Sequence, residues 1–547
     1  VVTFALSQGA LRMAKDKVVV KRLSAIEDFG DIEILCVDKT GTLTENKLSV
    51  ETVFSKDQRR CLLYGLLSSS FATEEIESSR NPFDVAIFEK ASNEIRKIAA
   101  GFKSIAEIPF NNERLRSSAL IEDNNGGRIL IVKGVPEIIL GICSNRGGYN
   151  ASEIQEEIKK EGEQGKRVLA LAYKEYGAGD YLEKDENDFS FLGFFSFSDP
   201  LKKTAKEAVR LAEKLNVQIK ILTGDAAEVA ASVARQVNLI KGSEEVILGD
   251  TLNSFNEKEF AMACEKFRVF ARVSPQTKFK IVETLQKKYE VGFLGEGIND
   301  APALKVANIA VAVKGGADIS REVSDIILLK KDLKVLVEGI KQGRNIFSNI
   351  NEYIKCTLAS NFGNFYSIAA ISLFIPYLPM LPIQILLVNF LSDFPLIAIA
   401  TDKVDEEEMV KPKSHQLHAI IWLIIFLALT STIFDFIFFS IFHKSEPSLL
   451  QTLWFIESIL TEIFLIYSVR TRRFFLNTQR PSAPLVFFSV VAVALTITLP
   501  FLEAGREFFS FTRPPLPSLL IVLGLLFSYF LVSEAVKLAY FRKNRAH

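Results

Sequence analysis

The sequence predicts a multidomain α/β head followed by an α-helical membrane part. Residues up to about 345 carry Lys, Glu and Asp throughout, whereas the remainder is dominated by long runs of Phe, Leu and Ile. Within the charged part, short apolar runs alternate with helical patterns, and polar residues suited to chemistry stand where each run ends. Between the first and second of those runs lies a long insertion with strand-like runs of its own. At 547 residues the chain is too long for one core, which also requires several domains.

The runs of the head are IEILCV before Asp38, VQIKIL before Thr223, RVFARV before Ser274 and YEVGFLG before Glu296. Apolar runs with reactive residues at their C-terminal ends are the pattern of a parallel, doubly wound sheet. The insertion contributes RSSALI, GRILIV and KRVLALAY, which predict a second, α+β domain placed inside the first. The expected boundaries are 1–21 for the end of a membrane helix and a basic stalk, 22–48 and 193–345 for the two parts of the sheet domain, 49–192 for the insertion, and 346–547 for the membrane domain.

Six apolar windows near the ~20 residues that a bilayer requires fall at 353–375, 380–401, 419–442, 449–469, 483–502 and 516–540. The first two are joined by IPYLP, short enough for a tight hairpin. Lys and Arg concentrate in DKVDEEEMVKPKSHQ, SVRTRRFFLNTQR and the tail YFRKNRAH, all on one side. The positive-inside rule places that side, and the head with it, in the cytoplasm.

Composition sets further limits. Net charge is zero, which gives no electrostatic reason to expect a nucleic-acid partner. The five cysteines share no metal-ligand spacing, and four lie in the charged half, as expected of reduced cytosolic thiols. His415 and His418 read as a solvated loop pair. No signal peptide opens the chain. It begins at Val1 in VVTFALSQGALRMAKDKVVVKRL, which reads as the tail of a membrane helix and leads to the expectation of an N-terminal truncation.

The strongest motif is DKTGTLT at 38–44. A carboxylate at the end of a buried strand, followed at once by Lys39, Thr40 and Gly41, can attack a γ-phosphate. The glycine admits close backbone approach, and loop hydroxyls and amides hold the phosphate oxygens. With this motif the chain resembles the P-type cation-transporting ATPases of the haloacid-dehalogenase-like superfamily, and the family's other motifs recur in order. The resemblance implies a Rossmannoid phosphorylation domain, an inserted nucleotide-binding domain and a six-helix transmembrane bundle. It further implies ATP and Mg²⁺ as cofactors.

The resemblance also assigns residues. Asp38 is the phosphorylated nucleophile, with Lys39 and Thr40 beside it. LTGD supplies Thr223, Gly224 and Asp225 near the phosphate, SPQTKFKIV supplies Lys278 to neutralise phosphoryl charge, and GEGINDAP supplies Glu296, Asn299 and Asp300. Asp38, Thr40, Glu296 and Asp300 would hold Mg²⁺ through hard oxygens. Glu296 stands where the family usually has Asp and reaches one methylene further. In the insertion, KGVPE gives Lys133 and Gly134 beside the adenine, Phe110 is the ring that stacks on it, and Arg167 lies near the phosphates. No Walker-type glycine loop is present, so stacking and a lysine are expected to hold the base.

Polar residues at membrane depth are costly and usually functional. SNFGN gives Asn361 and Asn364, and NFLSD gives Asn389, Ser392 and Asp393. Spacings of three and four put each set on one helical face, so these five are the expected ligands of a transported cation. Asp435, Glu457 and Glu462 are further intramembrane acids with no assigned role. SNFGN, FDxxxF and RTRRFF resemble the bacterial magnesium-transporting members, whereas NFLSDFPLIAIATD is closer to the general cation-pump pattern. A magnesium pump of the cell membrane is therefore the expectation. A calcium or other cation pump is the alternative, and a membrane-anchored phosphatase of the same superfamily is the alternative of another class. The family's Thr-Gly-Glu loop, which hydrolyses the phosphoenzyme, does not occur in this sequence.

Overall fold

In the computed structural model all residues are described except 1, 46, 70–80, 112, 178, 180, 411–416 and 545–547. His415 and the side chain of His418 lie outside the described residues.

The strand Ile34–Val37 is buried at all four positions and lies inside an eight-stranded sheet. Across the sheet the order is Val18–Val20, Ile326–Leu328, Ile309–Val313, Val291–Gly295, Ile34–Val37, Gln218–Leu222, Val269–Ala271 and Val246–Leu248. All neighbours are parallel except the edge strand Val18–Val20, which pairs antiparallel with Ile326–Leu328. Strands buried on both faces read as continuous apolar runs, and this is why the four expected runs were visible. The edge strand was not. KVVV was expected in a basic stalk, but its three valines close the sheet's open edge.

The insertion forms a second sheet in the order Ser49–Phe54, Phe189–Ser198, Arg167–Tyr176, Arg128–Gly134, Arg116–Glu122 and Lys103–Asn111, with Cys143–Asn145 added beside Phe189–Ser198. The chain leaves and re-enters the first sheet at adjacent points. Thr44 bridges to Leu201, and the Thr44 hydroxyl donates to Asp199 at 2.6 Å. A domain inserted this way needs only two neighbouring crossings and leaves the host sheet intact.

From the head a single helix of 39 residues, Leu333–Ile371, runs about 58 Å at 1.5 Å per residue. Asp332 caps its start, accepting from the Lys334 amide and the Thr204 hydroxyl. Close approach fixes its seat on the head. A Cβ at Gly30 would stand 2.9 Å from the backbone of Gly343 and Arg344. Arg344, 3% exposed, donates to the carbonyls of Gly30, Ile32, Leu215 and Met409.

Among the described residues five helices are long and apolar enough to cross a membrane: Pro382–Thr401, Ile420–Phe442, Pro447–Val469, Ala483–Phe501 and Leu516–Lys543. They match the last five expected windows. The first, 353–375, falls in the distal half of the Leu333–Ile371 helix, where Asn361 and Asn364 interrupt the apolar residues, and it is not among the five. The Pro447–Val469 helix is the core of this part, with 83% of its apolar window buried.

Candidate phosphorylation site and membrane cavity

Asp38 follows the strand Ile34–Val37 directly, so parallel pairing on both sides fixes its position at the sheet's C-terminal edge. Its Oδ2 accepts from Lys278 Nζ at 2.7 Å, and the same ammonium donates to Asp300 Oδ1 at 3.1 Å. Lys278 sits one turn into the helix Pro275–Leu285, which Ser274 caps through the Thr277 amide. Burial opposes the charge on Lys278, but Asp38 and Asp300 outweigh it and hold the ammonium above the ordinary lysine value. Asp300 is itself placed by the amides of Glu296 and Gly297, both 3.2 Å from its Oδ2.

The loop after Asp38 is closed by its own residues. Gly41 has a φ of 70°, a left-handed conformation open to glycine, and its amide donates to Thr44 Oγ1 at 3.1 Å. Lys39, 1% exposed, turns away from Asp38 and pairs with Asp225 at 2.5 Å. Thr223 is buried, and its hydroxyl accepts from the Asp225 amide at 3.2 Å. At Gly224 an added Cβ would meet nothing within 4 Å, so open space lies in front of this turn. Asn299 is exposed on the turn that carries Asp300.

Arg167 comes from the inserted sheet and joins Asp225 across the gap between the two sheets. Burial alone would raise the Asp225 carboxyl, but Arg167 and Lys39 outweigh it and hold the carboxyl below the usual carboxylate range. The other expected nucleotide residues are separated. Phe110 presents a ring on a side chain that is 51% exposed. Lys133 is 5% exposed and bonded to Asp84 at 2.5 Å and Ser69 at 2.9 Å. At Gly134 a Cβ would lie 2.6 Å from the Leu115 carbonyl, so close strand packing there requires glycine. Asp84, the partner of Lys133, belongs to no motif and had no signal in the sequence.

The four expected Mg²⁺ residues divide into two pairs. Asp38 and Asp300 converge on Lys278, whereas Glu296 Oε1 and the Thr40 carbonyl converge on Lys331 Nζ, at 2.5 Å and 3.4 Å. Among the described residues no group of three or more His, Cys, Asp or Glu side chains is placed to hold a metal ion. In kind the donors fit a hard cation, for all four offer oxygen and each pair already gathers about a positive charge. Lys331 was not anticipated, since KKD after a strand belongs to no motif. Lys202 is similarly new: its ammonium donates to the carbonyls of Gly41 and Lys331. Burial first, then the Lys331 charge, brings Lys202 below the ordinary lysine value.

In the membrane part, Asn361, Asn364 and Asn389 line one cavity of about 380 Å³, together with Trp454 and Ser458. Ser392 is buried, while Asp393 is exposed where a buried carboxylate was expected, because its helix packs through its other face. Glu462, an acid inside an apolar span, is where the two polar faces meet. Asn364 donates to its Oε1 at 3.1 Å, and Ser392, whose hydroxyl donates to the Asn389 carbonyl at 3.4 Å, lies beside it.

Two family models match. Residues 61–204 match one described as P-type ATPase, cytoplasmic domain N, and residues 377–539 match Cation transporting ATPase, C-terminus. The Magnesium-transporting ATPase, P-type 1 of Escherichia coli (strain K12) is 36% identical over 99% of this chain. The chain belongs to the P-type cation-transporting ATPases. Among these ATPases, the Magnesium-transporting ATPase, P-type 1 of Salmonella typhimurium (strain LT2) is 35% identical over 99% of the chain. The Calcium-transporting ATPase of Bacillus subtilis (strain 168) is 29% identical over 86% of it. The chain spans 62%, 62% and 60% of the lengths of these three P-type ATPases, respectively. With five apolar helices, it is a multi-pass membrane member of the family with a cytoplasmic head.

Proposed function

We propose that this chain supplies the phosphorylation, nucleotide-binding and later membrane parts of an ATP-driven cation pump, with magnesium the favoured cation. The observation that carries the proposal is Asp38 at the end of a central strand, held with Asp300 on the single ammonium of Lys278. In this reading residues 22–48 and 193–345 form a haloacid-dehalogenase-like phosphorylation domain around a nucleotide domain at 49–192. The distal half of the Leu333–Ile371 helix adds a sixth span to the five apolar helices.

Asp38 attacks the γ-phosphate of ATP, and its carboxylate becomes an aspartyl phosphate as ADP leaves. Lys278 loses one carboxylate charge at Asp38 and gains the phosphoryl oxygens, so its ammonium stays neutralised throughout. Thr223 and the open turn at Gly224 face the incoming group, and Phe110 offers a surface on which adenine stacks. Arg167, from the inserted sheet, brings positive charge to the same edge. Asp38, Asp300, Glu296 and the Thr40 carbonyl would hold Mg²⁺, which supplies neutralisation of phosphate charge when bound. Magnesium as cargo is supported by the names of the two relatives at 36% and 35% identity. The cavity lined by three asparagines suits a cation that keeps part of its water.

The chain should take up acid-stable, hydroxylamine-sensitive label from radiolabelled ATP, and Asp38→Asn should abolish it. Label that survives this substitution would overturn Asp38 as nucleophile. A failure to accept phosphate from ATP at all would favour the anchored phosphatase. Cation-stimulated ATPase activity of the full-length protein then decides the cargo, and a response to Ca²⁺ with none to Mg²⁺ would overturn magnesium.

A further inference from the structure

Asp435 and Glu457 lie inside two apolar spans, Ile420–Phe442 and Pro447–Val469, and each is 2% exposed. Asp435 lies against the face of the second helix that carries Glu457, since Trp454, three residues before Glu457, donates to it, and the two acids interact directly. Asp435 accepts from two donors, Trp454 Nε1 at 2.9 Å on Oδ1 and the Ser367 hydroxyl at 2.6 Å on Oδ2. Glu457 has the opposite character. Its Oε2 is buried, and no donor reaches it among the described residues. The other titratable group against the pair is Tyr529, on the Leu516–Asn544 helix. No Lys or Arg forms a salt bridge with either carboxyl among the described residues.

Two carboxylates in contact in a low-dielectric interior cannot both be ionised. A cation between them would relieve the repulsion, but the indole N–H that fills one side of Asp435 is a donor only and cannot ligate a metal. A proton fits every contact. Glu457 as the acid donates to Asp435, which explains an oxygen without a donor, while Asp435 as the anion takes all three donors.

We propose that Asp435 and Glu457 form a proton site in the membrane interior, one proton shared between two carboxyl groups. Trp454, which donates to Asp435, and Ser458, next to Glu457, both line the cavity that holds Asn361, Asn364 and Asn389. The bound proton thus removes one of two negative charges from behind the cavity wall. The role of the site rests on the pump reading, but its occupancy does not.

Infrared spectra of the full chain in lipid vesicles at neutral pH test the proposal without ATP or transport. The wild type should show the carbonyl band of a buried, slowly exchanging carboxylic acid. Glu457→Gln should lose it, since the acid is removed and Asp435 keeps two donors as an anion, whereas Asp435→Asn should shift it, since burial keeps Glu457 protonated with its acceptor replaced by an amide. Trp454→Phe, which removes one donor to Asp435, should shift the band and keep it. A spectrum unchanged in Glu457→Gln, or a wild type without the band, overturns the proposal. Either result leaves phosphorylation at Asp38 standing, and loss of that phosphorylation leaves the band unchanged.

Discussion

Glu296 is held by Lys331, whose ammonium stands 2.5 Å from Glu296 Oε1 and also reaches the Thr40 carbonyl at 3.4 Å. The longer glutamate side chain spans a distance that aspartate, one methylene shorter, would leave open. Lys331 thereby holds two of the four oxygen groups proposed for Mg²⁺, and a metal ion must compete with it. Lys331→Met should tighten Mg²⁺ binding roughly 3- to 10-fold, the range expected when a partly exposed ion pair is removed. Glu296→Asp should act in the same direction. Equilibrium titration of Mg²⁺ against the chain, with no nucleotide present, measures both. Unchanged or weaker binding in Lys331→Met would show that the lysine supports the metal site and does not compete for it.

Arg167 and Asp225 join the inserted sheet to the first sheet, and Lys39 holds the same carboxylate from below. Arg167→Ala removes that link and leaves Asp225 on Lys39. The two domains should then separate more widely, with a KM for ATP raised about 10-fold and a fold stability changed by less than about 1 kcal/mol, because the pair is partly exposed. Inter-domain distance by fluorescence transfer reads the first effect and chemical denaturation the last. The linkage also has a sign. A carboxyl held below its unfolded value contributes stability that is present above the ordinary carboxylate range and is lost as pH falls through its depressed folded value. Acid should therefore open the wild-type head, and the Arg167→Ala head should already be open at neutral pH.

How much of this was legible depended on distance along the chain. Asp38, Thr223 and Glu296 were visible because each follows a buried apolar run, and run and residue are neighbours in sequence. That Lys278 would bridge Asp38 and Asp300 needed a contact across 240 residues, which no local pattern encodes; only the resemblance pointed to it. Lys331, Asp84 and Lys202 had no such aid. Lys331 and Lys202 are charged residues in charged stretches, Asp84 is a lone acid in the apolar run PFDVAIF, and each becomes informative only once its partner is known. In the membrane part the asparagine faces were legible from spacing alone, and three of the residues do line one cavity. Glu462 was seen but not placed, because helical spacing describes one helix and says nothing of what faces it. The edge strand at Val18–Val20 was masked by the basic residues around it.

Lys220 lies in the central strand Gln218–Leu222, is fully buried, and donates to the carbonyls of Glu265 and Phe267. Burial lowers its ammonium to about 8, against partial restoration by Cys36 and Cys264. A base whose folded value is depressed costs stability while it is charged in the fold. That cost is present below about 8 and is relieved as pH rises toward the unfolded value of 10.5, because the unfolded chain binds more protons in that window. The shift corresponds to about 3 kcal/mol at most. Stability should rise with pH across this interval relative to Lys220→Met, which has no such slope. Near neutral pH the variant should be close to wild type, since the relief is offset by two carbonyls left without a donor. Denaturant unfolding of both proteins at several pH values checks this, and parallel pH profiles would refute it.

Arg344 ties three parts of the molecule together through carbonyl oxygens alone. It reaches Gly30 and Ile32 before the central strand, Leu215 after the helix Ala205–Lys214, and Met409 in the segment between two membrane helices. Only a planar guanidinium can point donors in these directions at once; a lysine at this place would serve one or two of the carbonyls. Arg344→Lys should therefore lose most of what Arg344→Met loses. For Met the cost is about 4 kcal/mol, the scale of several buried acceptors left without partners. The position of the contacts makes a second consequence separable from stability. Met409 connects the membrane helices to the head through this side chain, so either variant should uncouple the two. Phosphorylation of Asp38 should persist at temperatures where the head remains folded, while its dependence on the transported cation in the full-length protein should fall. Loss of phosphorylation and of cation dependence in strict parallel, at every temperature, would reduce Arg344 to a stabilising contact.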